Sequence, residues 1–400
     1  MSSDPIEHEF DPLSDYFERN AFAEFKRMRE NHPVYRHQGT LMPVVSLFRN
    51  DDIRAALRDW KTFSSQRSEE YNKKALGDAS ILIGNDPPLH TTYRDIVAPL
   101  FLPSAVHKME AIVEEQIDQA IADTVDKGEV DFLRTFAMRV SLGTICHICD
   151  IPEKDWPLMF EMTQNLAKND GQAVFWKRQR PDIEAQLGTA ITVLTDYFNK
   201  HLEERVRNPR QNMLNEIATQ IDEPRHLTGL CILLLGAGFE TTMNLMANGM
   251  QELIRHPQQM QMLRDNPDLI DGAVEEMLRM RGTIRKQDRI AGEDMEIRGV
   301  KIYKGESLAL WNGSASLDPD VIENPETFDI TRKPNRHLAF GSGIHMCIGN
   351  VLARMEVRMA FKRLLEATST IEETRGAGSF RSMGNGILTG VDYYHLKLSS

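Results

Sequence analysis

The chain has 400 residues, 41% hydrophobic and 26% charged, with a formal net charge of −12. That balance is ordinary for a globular protein, and its acidity argues against a nucleic-acid partner, which wants a basic face. The stretch from Met1 to Pro12 is acidic and polar, unlike a signal peptide or membrane anchor, and the most apolar run, Leu230 to Leu235, is far shorter than a spanning helix of roughly 20 residues.

Residues 41–48 read as a strand and Asp51 to Trp60 as a short helix. Residues 105–128 and 130–150 carry helical periodicity, as do 184–207 and 224–255. Cys146-His147-Ile148-Cys149 has the look of half a zinc site, but no second pair follows, and helical spacing of its apolar neighbours assigns both cysteines to the core. Gly236 and Gly238 lie inside the 224–255 helix beside Glu240, Thr241 and Thr242. Each glycine costs about 1 kcal/mol there relative to alanine, and a carboxylate on an apolar stretch must be paired or wet, so the cluster asks for a reason. A kink with the polar residues facing solvent is one. Glu276 and Arg279, three apart, share a helix face. Glu296 to Trp311 reads as a hairpin turning at Tyr303-Lys304-Gly305, and Asp392 to Leu398 alternates as a strand. Helix predominates, with small β-sheets near both ends (mainly α, an α+β mixture). With no linker or repeat, a single large domain over residues 21–400 is expected, after a flexible polar arm, 1–20. Four cysteines form no disulfide framework, which points to a reducing cytoplasm.

The most informative stretch is Phe340-Gly341-Ser342-Gly343-Ile344-His345-Met346-Cys347-Ile348-Gly349. A helix-like run begins after it, so the Cys347 sulfur stands at a helix N-terminus, where N–H groups favour an anion. A buried structural cysteine, a phosphate-cradling loop and a catalytic nucleophile are the other readings, though no lysine follows where a phosphate would sit. A thiolate held under a flat bulky group is what cysteine ligation of haem iron requires. The stretch closely resembles the cysteine loop of the cytochrome P-450 superfamily, Phe-Gly-x-Gly-x-His-x-Cys-x-Gly, at all six positions. Ala237-Gly238-Phe239-Glu240-Thr241-Thr242 matches a second motif of that superfamily, Glu276-Met277-Leu278-Arg279 a third, and Asp86-Pro87-Pro88-Leu89-His90 with Arg94 a fourth.

The resemblance implies a triangular haem-thiolate monooxygenase domain carrying haem b (iron protoporphyrin IX), with Cys347 as the axial iron ligand. It implies that Thr241 hydrogen-bonds dioxygen at the iron, that Glu240 relays protons, and that His90, Arg94, Arg289 and His345 bind the haem propionates. Glu276 and Arg279 would form a structural pair that locks the cysteine loop. Leu233, Ala237, Ile284, Ile387 and Leu388, with Ile81-Leu82-Ile83, would line an apolar pocket for a small-to-medium hydrophobic substrate. Two electrons would come from a separate ferredoxin or flavodoxin with its reductase, meeting a face where Arg354 and Arg358 are candidate contacts. The expected product is a hydroxylated or epoxidised substrate, and the expected state a cytoplasmic monomer with no membrane partner. A haem-thiolate peroxygenase or isomerase, or a non-enzymatic haem-binding protein, are the alternatives. The chain departs from the family pattern at Ser316-Leu317, where Asn-Arg is usual, and at Thr283, where a proline is common. Arg285 and Lys286, which follow, are candidates for an anionic substrate group or for cations at the surface or propionate side.

Overall fold

The computed structural model describes residues 9–40, 42–66, 81–168, 181–210, 213–375 and 388–400. Single turns aside, twelve helices are present among them: α1 (Asp15–Asn31), α2 (Asn50–Arg58), α3 (Leu89–Val97), α4 (Glu110–Thr124), α5 (Met138–Ile148), α6 (Trp156–Lys168), α7 (Pro181–Arg207), α8 (Met213–Ala218), α9 (Pro224–Arg255), α10 (Pro257–Asp265), α11 (Ile270–Arg281) and α12 (Asn350–Ala367). The strands are β1 (Val34–Arg36), β2 (Val44–Leu47), β3 (Phe63–Ser64), β4 (Glu129–Asp131), β5 (Gln287–Ala291), β6 (Met295–Ile297), β7 (Val300–Ile302), β8 (Ser307–Leu310), β9 (Thr370–Glu373) and β10 (His395–Ser399). They form a five-stranded sheet in the order β1-β2-β8-β5-β3, a three-stranded sheet β4-β10-β9 and the β6-β7 ribbon.

In the larger sheet β2 and β8 run parallel, Val44 opposite Ser307, and both are buried along their whole length. This corrects the hairpin expected over 296–311. The ribbon turns earlier, at Arg298-Gly299, both with positive φ (50° and 81°), and closes Met295 against Ile302. Ser307–Leu310 then leaves it to pair with β2 and β5. The physical reason is burial: a continuous apolar run suits a strand covered on both faces better than a half-exposed ribbon. At the C-terminus Leu396 and Leu398 are buried and Lys397 is exposed, the alternation of a strand with one wet face.

The flexible arm expected over 1–20 is also corrected, for residues 9–20. Ser14 caps α1, its Oγ accepting from the Phe17 N–H at 3.1 Å. The Phe10 ring packs edge-on against Phe17, Phe48 and Trp311 at centroid distances of 5.4, 5.1 and 5.4 Å. Polar neighbours hide these two aromatics in the sequence, yet burying them outweighs the entropy of ordering the segment.

The long helix α9 runs unbroken, so the glycines do not kink it. Gly238 has a packing reason instead: a Cβ there would lie 2.7 Å from the Ile145 side chain, so α5 crosses at this point. Although α9 is long and apolar enough to cross a membrane, most of its apolar stretch is buried inside the protein, as a core helix is. Cys146 and Cys149 are buried in the same core, where loss of solvent pushes the Cys149 thiol up to about 12.

Phe10→Ala should lower unfolding stability by about 3 kcal/mol, the cost of truncating a packed core aromatic. Urea unfolding checks it, and an unchanged midpoint would show that residues 9–20 do not belong to the core.

Candidate active site

Cys347 stands between two tight glycine turns and α12. Gly341 and Gly343 have φ of 69° and 73°. At Gly343 a Cβ would lie 2.2 Å from the Leu57 carbonyl, so the end of α2 is packed onto the loop and only glycine fits. The Cys347 N–H closes the loop onto the Phe340 carbonyl at 2.9 Å, and Asn350 Nδ2 donates to the Cys347 carbonyl at 2.7 Å. The sulfur is half-buried at the start of α12. Burial pushes its thiol up, while a hydrogen bond from the Gly349 N–H and the charges of Arg94 and Arg354 pull it down. Such donors hold a sulfur anion when iron binds it.

Adjacent carboxylates on α11 fasten this loop. Glu276 and Arg279 form a bidentate pair at 2.7 Å with both side chains fully buried. Glu276 also accepts from Arg332 (3.2 Å), Asn335 (3.0 Å) and the Asp329 N–H (2.9 Å). Arg279 donates onward to the Pro325 and Thr327 carbonyls at 2.6 and 2.8 Å. Glu275 takes Arg354 at 2.6 Å and His337 at 3.0 Å. Burial alone would raise the Glu275 carboxyl, but these two hydrogen bonds overcome it and hold it down to about 2. The Arg354 guanidinium in turn lies 4.5 Å from the Phe340 ring centroid. Arg354 is thus part of the frame of the cysteine loop rather than only a solvated helix face. Arg358 remains at the surface near Asp271, 3.6 Å away.

Beside the loop lies a cluster of cations and imidazoles. His90 and His345 have ring centroids 4.4 Å apart. Both ring nitrogens of His90, and Nε2 of His345, are buried without a hydrogen-bond partner among the described residues. Arg94 reaches the Met346 carbonyl at 2.7 Å, and Arg289, buried on β5, donates to the Asp288 carbonyl at 2.7 Å. Burial, with Arg289, His90 and Arg94 nearby, pushes His345 down to about 3. Buried donors crowded by cations suit an anionic partner, and the donor set fits a group bearing two carboxylates. Asp86 anchors the approach to α3, accepting from the Ser65 N–H at 3.0 Å and from the Ser64 hydroxyl.

On α9 the residues four apart at 233, 237 and 241 share one face. Leu233 and Thr241 are only partly covered and Ala237 is exposed, on a helix otherwise largely buried. The Thr241 hydroxyl donates to the Ala237 carbonyl at 3.0 Å, which leaves its oxygen lone pairs free to accept. Glu240, one residue before Thr241 and therefore rotated from it by about 100°, is buried elsewhere and accepts from Gln164 of α6 at 3.0 Å. Ile284 and Leu388 meet in an isolated β-bridge, and Ile81 and Leu82 are buried while Ile83 is exposed. Ile387 lies outside the described residues. Arg285 and Lys286 are both buried from solvent: Arg285 donates to Glu18 at 2.9 Å and Thr389 at 2.8 Å, and Lys286 to Asp288 at 2.9 Å. Their reading as surface cations is corrected, since both are buried and a buried cation takes the nearest carboxylate.

Sequence reasoning missed Glu275, Arg332, Asn335 and His337, which no short motif marks, because they converge only through the tertiary fold. It also missed Glu356, buried on α12, whose carboxyl burial pushes well up despite hydrogen bonds from Thr144 and Thr242.

A half-buried cysteine at a helix start, beside donors that suit two carboxylates, defines the class of haem-thiolate proteins. A model of the family described as Cytochrome P450 matches residues 13–388. The chain is 30% identical to the biotin biosynthesis cytochrome P450 of Bacillus subtilis (strain 168), with 88% of this chain and 90% of the relative covered. It is 31% identical to the cytochrome P450 monooxygenase PikC of Streptomyces venezuelae, covering 88% and 85%. The crystal structure of P450BioI in complex with hexadec-9Z-enoic acid ligated acyl carrier protein superposes with a TM-score of 0.88 at 27% identity, covering 96% of this chain and all of that one. The chain belongs to the cytochrome P450 family; it is a haem-thiolate monooxygenase, and its cofactor is haem.

Arg279→Ala should cost about 3–5 kcal/mol, because it leaves the Glu276 carboxylate buried without its main partner. Urea unfolding of the holoprotein measures this, and a loss below about 1 kcal/mol would mean that water or Arg332 replaces Arg279.

Proposed function

We propose that this monooxygenase hydroxylates or epoxidises a small-to-medium hydrophobic molecule, using two electrons from a separate ferredoxin or flavodoxin. Haem, when bound, supplies the site at which dioxygen is reduced and one oxygen atom is passed to the substrate. The other oxygen leaves as water, so each turnover consumes two electrons and two protons. Cys347 would hold the iron through its thiolate, with the Gly349 N–H supporting the sulfur charge. His90, Arg94, Arg289 and His345 would take the two propionates. Thr241, its own proton directed to Ala237, would accept a hydrogen bond on the oxygen side. Glu240 would pass protons inward from its place beside Gln164.

The observation that carries the substrate reading is the uncovered strip Leu233–Ala237–Thr241 on a helix otherwise buried. With Ile284 and Leu388 it would make an apolar wall, and apolar walls select by shape with few polar contacts. Terpenoid, aromatic and alicyclic compounds all fit. Near Cys347, Met346 is an exposed hydrophobe beside Arg94, and a redox partner would meet that face.

The test is a screen of those three compound classes for the low-to-high spin shift of the holoenzyme, followed by turnover with NAD(P)H, a ferredoxin and its reductase. Ala237→Phe should weaken the spin shift by about tenfold or more while keeping the haem spectrum, since a ring would fill the strip. Thr241→Ala should divert electrons to hydrogen peroxide and lower product formation by about a hundredfold, the scale of a lost proton-handling group. Turnover that needs no ferredoxin, driven by peroxide alone, would replace this reading with a peroxygenase.

A further inference from the structure

The short segment after α11 joins two parts of the site that the chemistry above treats separately. Thr283 is buried, and its Oγ1 donates to the Thr241 carbonyl at 2.8 Å. That carbonyl lies inside an unbroken helix, where the N–H four residues on is its regular partner. A carbonyl oxygen has two lone pairs, so the threonine adds a second bond without displacing the first. On its other side, the Thr283 carbonyl accepts from the Thr389 N–H at 2.8 Å, and the next residue, Ile284, bridges to Leu388.

The C-terminal partner of this bridge is fastened to α9 as well. Asn244 Oδ1 accepts from the Val391 N–H at 3.3 Å, and Asn248 Nδ2 donates to the Thr389 carbonyl at 3.3 Å and the Arg281 carbonyl at 3.1 Å. Gly390 comes so close that a Cβ there would lie 1.9 Å from Asn244 Oδ1. The Ile284–Leu388 wall therefore cannot shift without loading α9 at positions 241, 244 and 248. The Thr283 tether ends on Thr241 itself.

We infer that Thr283 is a positioning residue: its hydroxyl holds the Thr241 turn of α9 in register with the Ile284–Leu388 wall, so that the seated substrate and the proton-handling hydroxyl keep a fixed relation. The inference rests on the proposed role of Thr241. A proline at this position, which the family resemblance leads one to expect, has no hydroxyl, so the tether belongs to this chain's own sequence.

The test uses the haem-loaded protein and two readouts that need no substrate. One is amide hydrogen exchange over residues 241–249; the other is the rate at which holoenzyme reduced with stoichiometric dithionite reoxidises on mixing with dioxygen. Thr283→Val keeps the side-chain shape and removes the hydroxyl; Thr283→Ser keeps the donor and is the rescue. Thr283→Val should speed both rates by about two- to tenfold, the range a single lost hydrogen bond supports, with Thr283→Ser close to wild type. Thr241→Ala is the reference for reoxidation. If Thr241→Ala speeds reoxidation and Thr283→Val matches wild type in both readouts, the tether does not position Thr241 and the inference falls alone. If Thr241→Ala itself changes nothing, the role assigned to Thr241 falls, and this inference with it. Thermal unfolding of the three variants separates these outcomes from a general loss of fold.

Discussion

The Cys347 sulfur is held half-buried at one point in space, and much of the surrounding structure fixes that position. A thiolate on a free loop would protonate or wander; here the loop is closed on itself at Phe340 and pinned from below by α2 at Gly343. The deeper anchor is the pair of adjacent carboxylates Glu275 and Glu276 on α11. Pointing to different sides of the helix, they gather Arg354 and His337 in one direction and Arg279, Arg332 and Asn335 in the other. Burying charge is expensive, and a hydrophobic cluster could give the same stability. What charge adds is direction: each guanidinium has only a few allowed positions around its carboxylate, so α11, α12 and the segment between them are locked in register.

A second electrostatic theme lies beside the first. Four basic side chains converge near the cysteine, yet two are imidazoles that burial and neighbouring cations keep neutral. Neutral imidazoles can donate hydrogen bonds without adding positive charge beside Arg94 and Arg289, both of which act on His345. On the distal side, polar contacts are few and the helix α9 presents small and apolar residues. Charge is concentrated around His90, Arg94, Arg289 and His345, whereas Leu233 and Ala237 on α9 are apolar.

Much of this was legible in the chain. Helical periodicity located the long helices within a few residues, and the spacing of Phe340 to Gly349 singled out the cysteine loop, where Gly341 and Gly343 take positive φ and a Cβ at either would meet a neighbour. What failed did so for tertiary reasons. Ser307–Leu310 looked like half of a hairpin, and only its burial between β2 and β5 shows why it leaves the ribbon. Phe10 and Phe17 sit among polar neighbours, and their order comes from rings distant in the sequence, Phe48 and Trp311. Arg285 and Lys286 read as available cations because the sequence does not show Glu18 and Asp288 beside them. The Gln164 partner of Glu240 was not legible either, because it comes from a separate helix, α6.

The central claim is that Cys347, held by this frame, is the thiolate ligand of the haem. It is tested most directly by the carbon monoxide difference spectrum of the dithionite-reduced holoprotein, with Cys347→Ala measured alongside. A strongly red-shifted Soret band that the variant loses is expected. An imidazole-like band in the wild-type protein, or a red-shifted band that survives in Cys347→Ala, would contradict it.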